Sequence, residues 1–169
     1  MNSNIKKVSL KRYMRDLKDL IIESESDENN VIYKVIPGKD CSLLVIINGP
    51  VGTLYENGKF CFEISIDNKS DYPFTPPKVK LNTKIFHPNV DNDGNICLDL
   101  IGKNWTPTLN FRTLVLSLSS FLEDPNPDDP LNIDASKLYI ENKDEYDKKV
   151  KEYTENYALS SNIEELNKT

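Results

Sequence analysis

The chain has 169 residues, 28% charged and 38% hydrophobic, with a net charge of −6 and a pI near 4.9. That length suits one domain around a single core, and the acidic balance argues against nucleic acid as a partner. The three cysteines, Cys41, Cys61 and Cys97, are odd in number and lack paired spacing, so a reducing compartment, cytoplasm or nucleus, is expected. The opening Met-Asn-Ser-Asn-Ile-Lys-Lys has no apolar stretch of a secretory signal, and the final Asn-Lys-Thr is no prenylation box. No run approaches the ~20 apolar residues that span a bilayer, so no membrane partner is expected.

The first element is an amphipathic helix. Leu10, Tyr13, Met14, Leu17, Leu20 and Ile21 form a stripe opposite Lys11, Arg12, Arg15 and Lys18, and Ser9 is placed to cap it. Residues 23–30 are polar and acidic without apolar periodicity and read as a loop. Strands are expected at residues 31–36, ended by Pro37-Gly38, then at 42–47, 59–66 and 78–81, each rich in β-branched or aromatic residues. Short turns between them point to an antiparallel meander.

Three helical patterns follow. Asn110 is a candidate cap for a helix with Leu114, Val115, Leu118, Phe121 and Leu122 on nearly all sides, expected to lie buried across the sheet until Asp124-Pro125 stops it. Asn132 caps a shorter helix through Leu138, and Asn142 one in which Tyr146, Val150, Tyr153 and Tyr157 recur at helical spacing. From Leu159 onward periodicity is lost. The order is α+β: an N-terminal helix, a four-stranded antiparallel meander, an irregular segment, a central buried helix and two C-terminal helices. Domain boundaries follow as a short extension at 1–8, a core at 9–158 and a tail at 159–169.

Between residues 81 and 110 there is little regular pattern, yet that stretch holds the only histidine, the only tryptophan and Cys97. Long ordered loops of this kind are more often functional than accidental. The run is His87-Pro88-Asn89, then Cys97 eight residues after Asn89, Trp105 eight after Cys97, and an Asp-Pro-Asn-Pro-Asp-Asp-Pro-Leu block at 124–131. With Tyr72-Pro-Phe-Thr-Pro-Pro77, Gly49-Pro50, Tyr55, Gly58 and Phe60, these spaced motifs resemble the core of the ubiquitin-conjugating enzymes from about Ser9 to Ala158.

The resemblance implies a relay: an activating enzyme hands over ubiquitin or a ubiquitin-like modifier as a thioester on Cys97, and a substrate lysine or a ligase takes it. The residues agree with that chemistry. Asp91, Asp93 and Asp99 flank Cys97 with no Lys or Arg before Lys103, so its thiolate is not favoured electrostatically. Such a thiol is poorly suited to cleaving amides but accepts an already activated acyl group by exchange. Asn89 matches the family residue assigned an N–H to the oxyanion; the alternative is that its amide braces the loop. Asp129 matches the acid that positions the incoming lysine, with loop capping as its alternative. His87, Pro88 and Trp105 match residues that shape the active-site loop, and a His87–Cys97 dyad is the less favoured reading. Cys41 and Cys61 read as inert structural thiols.

By the same resemblance Lys11, Arg12, Arg15, Phe74, Pro107 and Thr108 match the surface that docks ligases and the activating enzyme, and Leu100, Leu109 and Leu116 a patch that holds the modifier closed. Phe74 as core and the basic residues as an ordinary solvated face are the plain alternatives. No cofactor is implied, since ATP belongs to the activating step, and no metal, since Cys41, Cys61, His87 and Cys97 lack ligand-type pairing. Two features depart from the commonest pattern: residues 23–30 lack a proline stretch, and Leu43-Leu44 stands where many members carry an aromatic. Gly58-Lys-Phe-Cys-Phe and Pro130-Leu-Asn132 lean toward carriers of the neddylation type, the Tyr72 and Asp-Asp-Pro blocks toward ubiquitin. A noncatalytic module of the same fold is the remaining alternative, and Cys97 argues against it.

Overall fold

Strict alternation in two central strands sorts their side chains to opposite faces. The computed structural model describes residues 6–26, 32–67, 70–96, 102 and 104–159. In it β1 (Tyr33–Pro37), β2 (Ser42–Asn48), β3 (Lys59–Ser65) and β4 (Lys78–Leu81) form an antiparallel sheet in sequence order. The register pairs Val45 with Phe62, Ile47 with Phe60 and Phe62 with Leu81. Leu43, Val45, Ile47, Phe60, Phe62 and Ile64 thus fill the core without solvent exposure, while Ile46 and Cys61 form a small separate cluster on the opposite face with Ile36 and Leu44. The β1–β2 turn places Asp40 and Cys41 at φ +52 and +60, with Ser42 N–H donating to Lys39 O at 3.1 Å. These are left-handed positions of a type I′ turn, occupied here without the usual glycine.

Over the core face lies α2 (Phe111–Glu123), whose Phe111, Leu114, Val115, Leu118, Phe121 and Leu122 are all buried. A reciprocal cap starts it: Asn110 Oδ1 accepts the Thr113 N–H, and Thr113 Oγ1 accepts the Asn110 N–H, each at 3.0 Å. Asn132 caps α3 (Ile133–Glu141) and Asn142 caps α4 (Lys143–Tyr157), which buries Tyr146 and Val150.

The first helix, α1 (Lys7–Ser26), departs from expectation in three ways. Ser9 is not its cap; the helix starts two residues earlier, and buried Ser9 donates its hydroxyl to Ser70 O at 3.3 Å. The buried stripe is Ser9, Tyr13, Asp16, Leu17 and Leu20, so Leu10 and Met14 lie outside it, 39% and 55% exposed. A polar pair displaces the apolar stripe, because Asp16 is buried with hydrogen-bonding partners (below). Finally, residues 23–26 are helical, with Ser24 and Ser26 hydroxyls bonded to carbonyls three residues back; residues 27–31 lie outside the described set. The start of α1 at Lys7 falls within the stretch assigned to an extension, and of the assigned tail only Leu159 is described.

Replacing Asn110 with Ala removes one side of the α2 cap, and a loss of about 1 kcal/mol is expected in urea denaturation. An unchanged midpoint would show the cap to be dispensable.

Candidate active site

The His87-Pro88-Asn89 segment is built from the inside outward. His87 is fully buried, its ring 4.5 Å from that of Phe121. Its Nδ1 accepts the Asn89 backbone N–H at 3.0 Å, which assigns the imidazole proton to Nε2. Nε2 meets no partner in ordinary hydrogen-bond geometry among the described residues. Burial pushes the pKa down to about 4, with the Phe121 backbone pulling weakly the other way. A neutral, enclosed imidazole of this kind, its Nδ1 already accepting a backbone N–H, organises backbone.

The next two residues reach across to the loop that follows α2. Pro88 O accepts the N–H groups of Leu131 and Asn132, both at 2.8 Å. The Asn89 side chain, 4% exposed, uses every proton it has: Nδ2 donates to Asn126 O at 2.6 Å and to Asp129 O at 3.1 Å, and Oδ1 accepts Asn126 N–H at 2.8 Å. Bracing is thus a role the amide performs here, on the 126–129 loop; the loop of Cys97, where the sequence placed that bracing, lies in part outside the described residues. The Asp129 side chain is exposed beside this lacing. From sequence Asn126 and Leu131 are candidates to line the site beside Asp129, with packing as the alternative; the structure makes Asn126 a partner of Asn89 through its backbone N–H and carbonyl.

Beyond Asn89 the chain makes a turn and returns along β4. Isolated bridges join Val90 to Ile96 and Lys80 to Asn95, and Leu81 N–H donates to Gly94 O at 2.9 Å. Gly94 has φ +80, and a Cβ there would sit 1.9 Å from Leu81 O, so no other residue fits. Cys97 and Leu100, with the rest of 97–101, lie outside the described residues.

A second cluster underlies the anticipated docking face. Arg12 Nε donates to both oxygens of Asp16 (2.9 and 2.8 Å), while its other nitrogens donate to Pro107 O at 2.8 Å and Leu109 O at 2.6 Å. Asp16, 2% exposed at its side chain, also accepts the Tyr72 hydroxyl at 2.5 Å. Burial, the bond to Asp16 and its charge all raise the Tyr72 pKa, with Arg12 and Arg15 opposing. Trp105 Nε1 donates to Pro73 O at 2.8 Å, its ring 6.0 Å from Tyr72. Arg12 is therefore an internal strap from α1 to the 107–109 loop, unlike the exposed Lys11 and Arg15. Phe74 is 73% exposed and is not core. Pro107 and Thr108 are also exposed; Leu109 and Leu116 are half-buried. Asp16 and its bond to Tyr72, a residue named from sequence only as part of a motif, escaped the sequence reading, although Arg and Asp four residues apart on a helix is a pairing signal.

The remaining cysteines sit apart. Cys61 is buried on the outer sheet face, its thiol pushed up to about 11 by burial and Glu63, and Cys41 occupies the β1–β2 turn, its pKa raised by burial and Asp40. Among the described residues no group of His, Cys, Asp and Glu is placed to hold a metal, and no helix is long and apolar enough to cross a membrane.

A family model described as ubiquitin-conjugating enzyme matches residues 12–154. The chain is 40% identical over 138 residues to ubiquitin-conjugating enzyme E2 N of Drosophila melanogaster, covering 82% of this chain and 84% of that protein. It is 42% identical over 115 residues to ubiquitin-conjugating enzyme E2 13 of Schizosaccharomyces pombe, covering 68% and 76%. A solved ubiquitin-conjugating enzyme from Plasmodium yoelii superposes with TM-score 0.75 at 36% identity, covering 92% of this chain and 98% of that one. A Toxoplasma gondii ubiquitin-conjugating enzyme domain gives 0.74 at 37%, covering 88% and 99%. The chain belongs to the ubiquitin-conjugating enzymes. It is a transferase, and membership implies dealings with ubiquitin, an activating enzyme and ligases as classes of partner.

Two outcomes follow from this geometry. Removing one member of a buried ion pair strands the other, so Arg12→Ala should cost about 3 kcal/mol in denaturant unfolding, whereas Lys11→Ala should stay within about 0.5. Equal effects would refute the strap. For His87, the pKa falls from 6.5 to about 4 on folding, so the unfolded chain binds more protons between those values and stability drops as pH falls from about 6.5 toward 4. The wild type should lose on the order of 2 kcal/mol more than His87→Gln between pH 7 and 5. Parallel losses would show that His87 does not titrate on unfolding.

Proposed function

We propose that Cys97 carries ubiquitin as a thioester and passes it to substrate lysines with the help of a ligase. The Cys97 thiolate attacks the thioester carbonyl on the activating enzyme, whose own thiolate leaves; a neutral lysine amine then attacks the new thioester and expels the Cys97 thiolate, losing its proton to solvent. ATP is spent in the activating step and this chain needs no cofactor. The observation that carries the reading is the lacing of Pro88 and Asn89 to residues 126–132, which sets the segment leading toward Cys97 beside the exposed carboxylate of Asp129. Asp129 positions the lysine. Asn89 serves the transfer chiefly by holding that loop, since donating to an oxyanion requires one of its two Nδ2 bonds to open. Lys11, Arg15, Phe74, Pro107 and Thr108 form the docking face for the ligase and activating enzyme, with Arg12 holding its two halves together. Leu109 and Leu116, with Leu100, receive the modifier.

On non-reducing gels, activating enzyme, ATP and ubiquitin should give a thiol-sensitive adduct that survives Cys61→Ala and vanishes in Cys97→Ala. A panel including ubiquitin-like modifiers tests the cargo, and charging by none of them sinks the enzymatic reading. Asn89→Ala should still charge while its discharge to free lysine slows on the order of 10²-fold. Discharge at the wild-type rate would remove Asn89 from the transfer step.

A further inference from the structure

The turn between Asn89 and Cys97 is held by one carboxylate. Asp91 Oδ1 accepts the backbone N–H groups of Asp93 at 2.9 Å and Asn95 at 2.8 Å, and Oδ2 accepts Asn95 Nδ2 at 2.7 Å. The Asp91 backbone closes the same loop, its N–H donating to Asn95 O and its carbonyl accepting Gly94 N–H, both at 3.1 Å. The limbs on either side are already tied to other parts of the molecule. Val90 follows the laced Asn89 and pairs with Ile96; Gly94 and Asn95 lie along β4, with Leu81 O where a Gly94 Cβ would have to be. Ile96, 7% exposed, is bonded directly to Cys97. The phase of the turn therefore decides how the cysteine limb stands relative to the Asn89 limb, and the Asp91 carboxylate is the one side chain that bonds to several points of that turn among the described residues.

The geometry points to Asp91 as a positioning residue for the transfer reaction, its carboxylate fixing the 91–95 turn and with it the limb 94–96 from which the chain continues to Cys97. This rests on Cys97 being the carrier thiol. The role is one of shape and not of charge, which separates it from a carboxylate that attracts the incoming lysine. An asparagine at 91 keeps the oxygen that accepts from the Asp93 and Asn95 backbone and loses only the Asn95 side-chain contact; an alanine loses all three bonds. Small misplacements of reacting groups carry large rate penalties, on the order of 10²-fold per ångström.

The test uses the full chain with activating enzyme, ATP and ubiquitin, reading single-turnover discharge of the thioester to free lysine beside alkylation of Cys97 by iodoacetamide, which needs no modifier. Asp91→Ala should discharge at least about 10-fold more slowly, with altered alkylation, and Asp91→Asn should recover most of the wild-type rate. Gly94→Ala, which moves the same limb without changing charge, should slow discharge as well. Asp91→Asn as slow as Asp91→Ala would make the charge the active property and overturn the inference, as would Asp91→Ala discharging at the wild-type rate. A wild-type chain that alkylates at Cys97 yet accepts no modifier overturns the carrier reading and this inference with it, so the two failures are distinguishable.

Discussion

Two irregular segments, far apart in sequence, share a set of hydrogen bonds that neither could satisfy alone. The Pro88 carbonyl and the Asn89 amide supply acceptors and donors to residues 126–132, and those residues have few backbone partners of their own. Buried polar groups left unpaired cost about 1–3 kcal/mol each, so the lacing holds the 87–89 segment against the post-α2 loop more firmly than packing of loops would. Behind it, His87 fills the core next to Phe121 and lends its Nδ1 to the same backbone. The site is held where it is polar because both side-chain polar atoms of Asn89 and its backbone N–H have defined partners.

The sheet and α2 give that lacing its foundation. Phe60, Phe62 and Phe111 are wholly buried, and Tyr55, which packs edge-on to Phe60, bonds through its hydroxyl to Phe86 O next to His87. On the opposite flank, Arg12, Asp16, Tyr72 and Trp105 join α1 to the loops that present Phe74 and Pro107. A desolvated ion pair adds little net stability compared with an apolar core, but its geometry is directional and fixes how two loops sit on a helix.

The strands and the three later helices could be read from sequence because alternation, caps and apolar periodicity all agreed there: Asn110, Asn132 and Asn142 cap the helices they were assigned. The first helix was read with its face turned, since periodicity alone ranks Leu10 and Met14 above Asp16, and nothing local reveals that Asp16 would find Tyr72 across the fold. The motif residues named from sequence include Pro88 and Asn89, but spacing did not show which partners they would take. That Asn89 would spend both amide protons on carbonyls of a loop 37 and 40 residues away is a tertiary fact, invisible to spacing. The same holds for Arg12, whose charge suggested a surface role while its partners are carbonyls at 107 and 109.

The return of residues 94–96 along β4 has a further effect. A four-stranded meander has two edge strands whose backbone groups invite pairing with another chain. Here β1 is short and ends in Pro37, and the end of β4, Lys80 and Leu81, pairs with the returning Gly94 and Asn95. The stretch from Gly94 to Ile96 is thus also a guard of the sheet's edge. Changes that loosen this return therefore uncover the backbone groups of Lys80 and Leu81 as an adhesive edge.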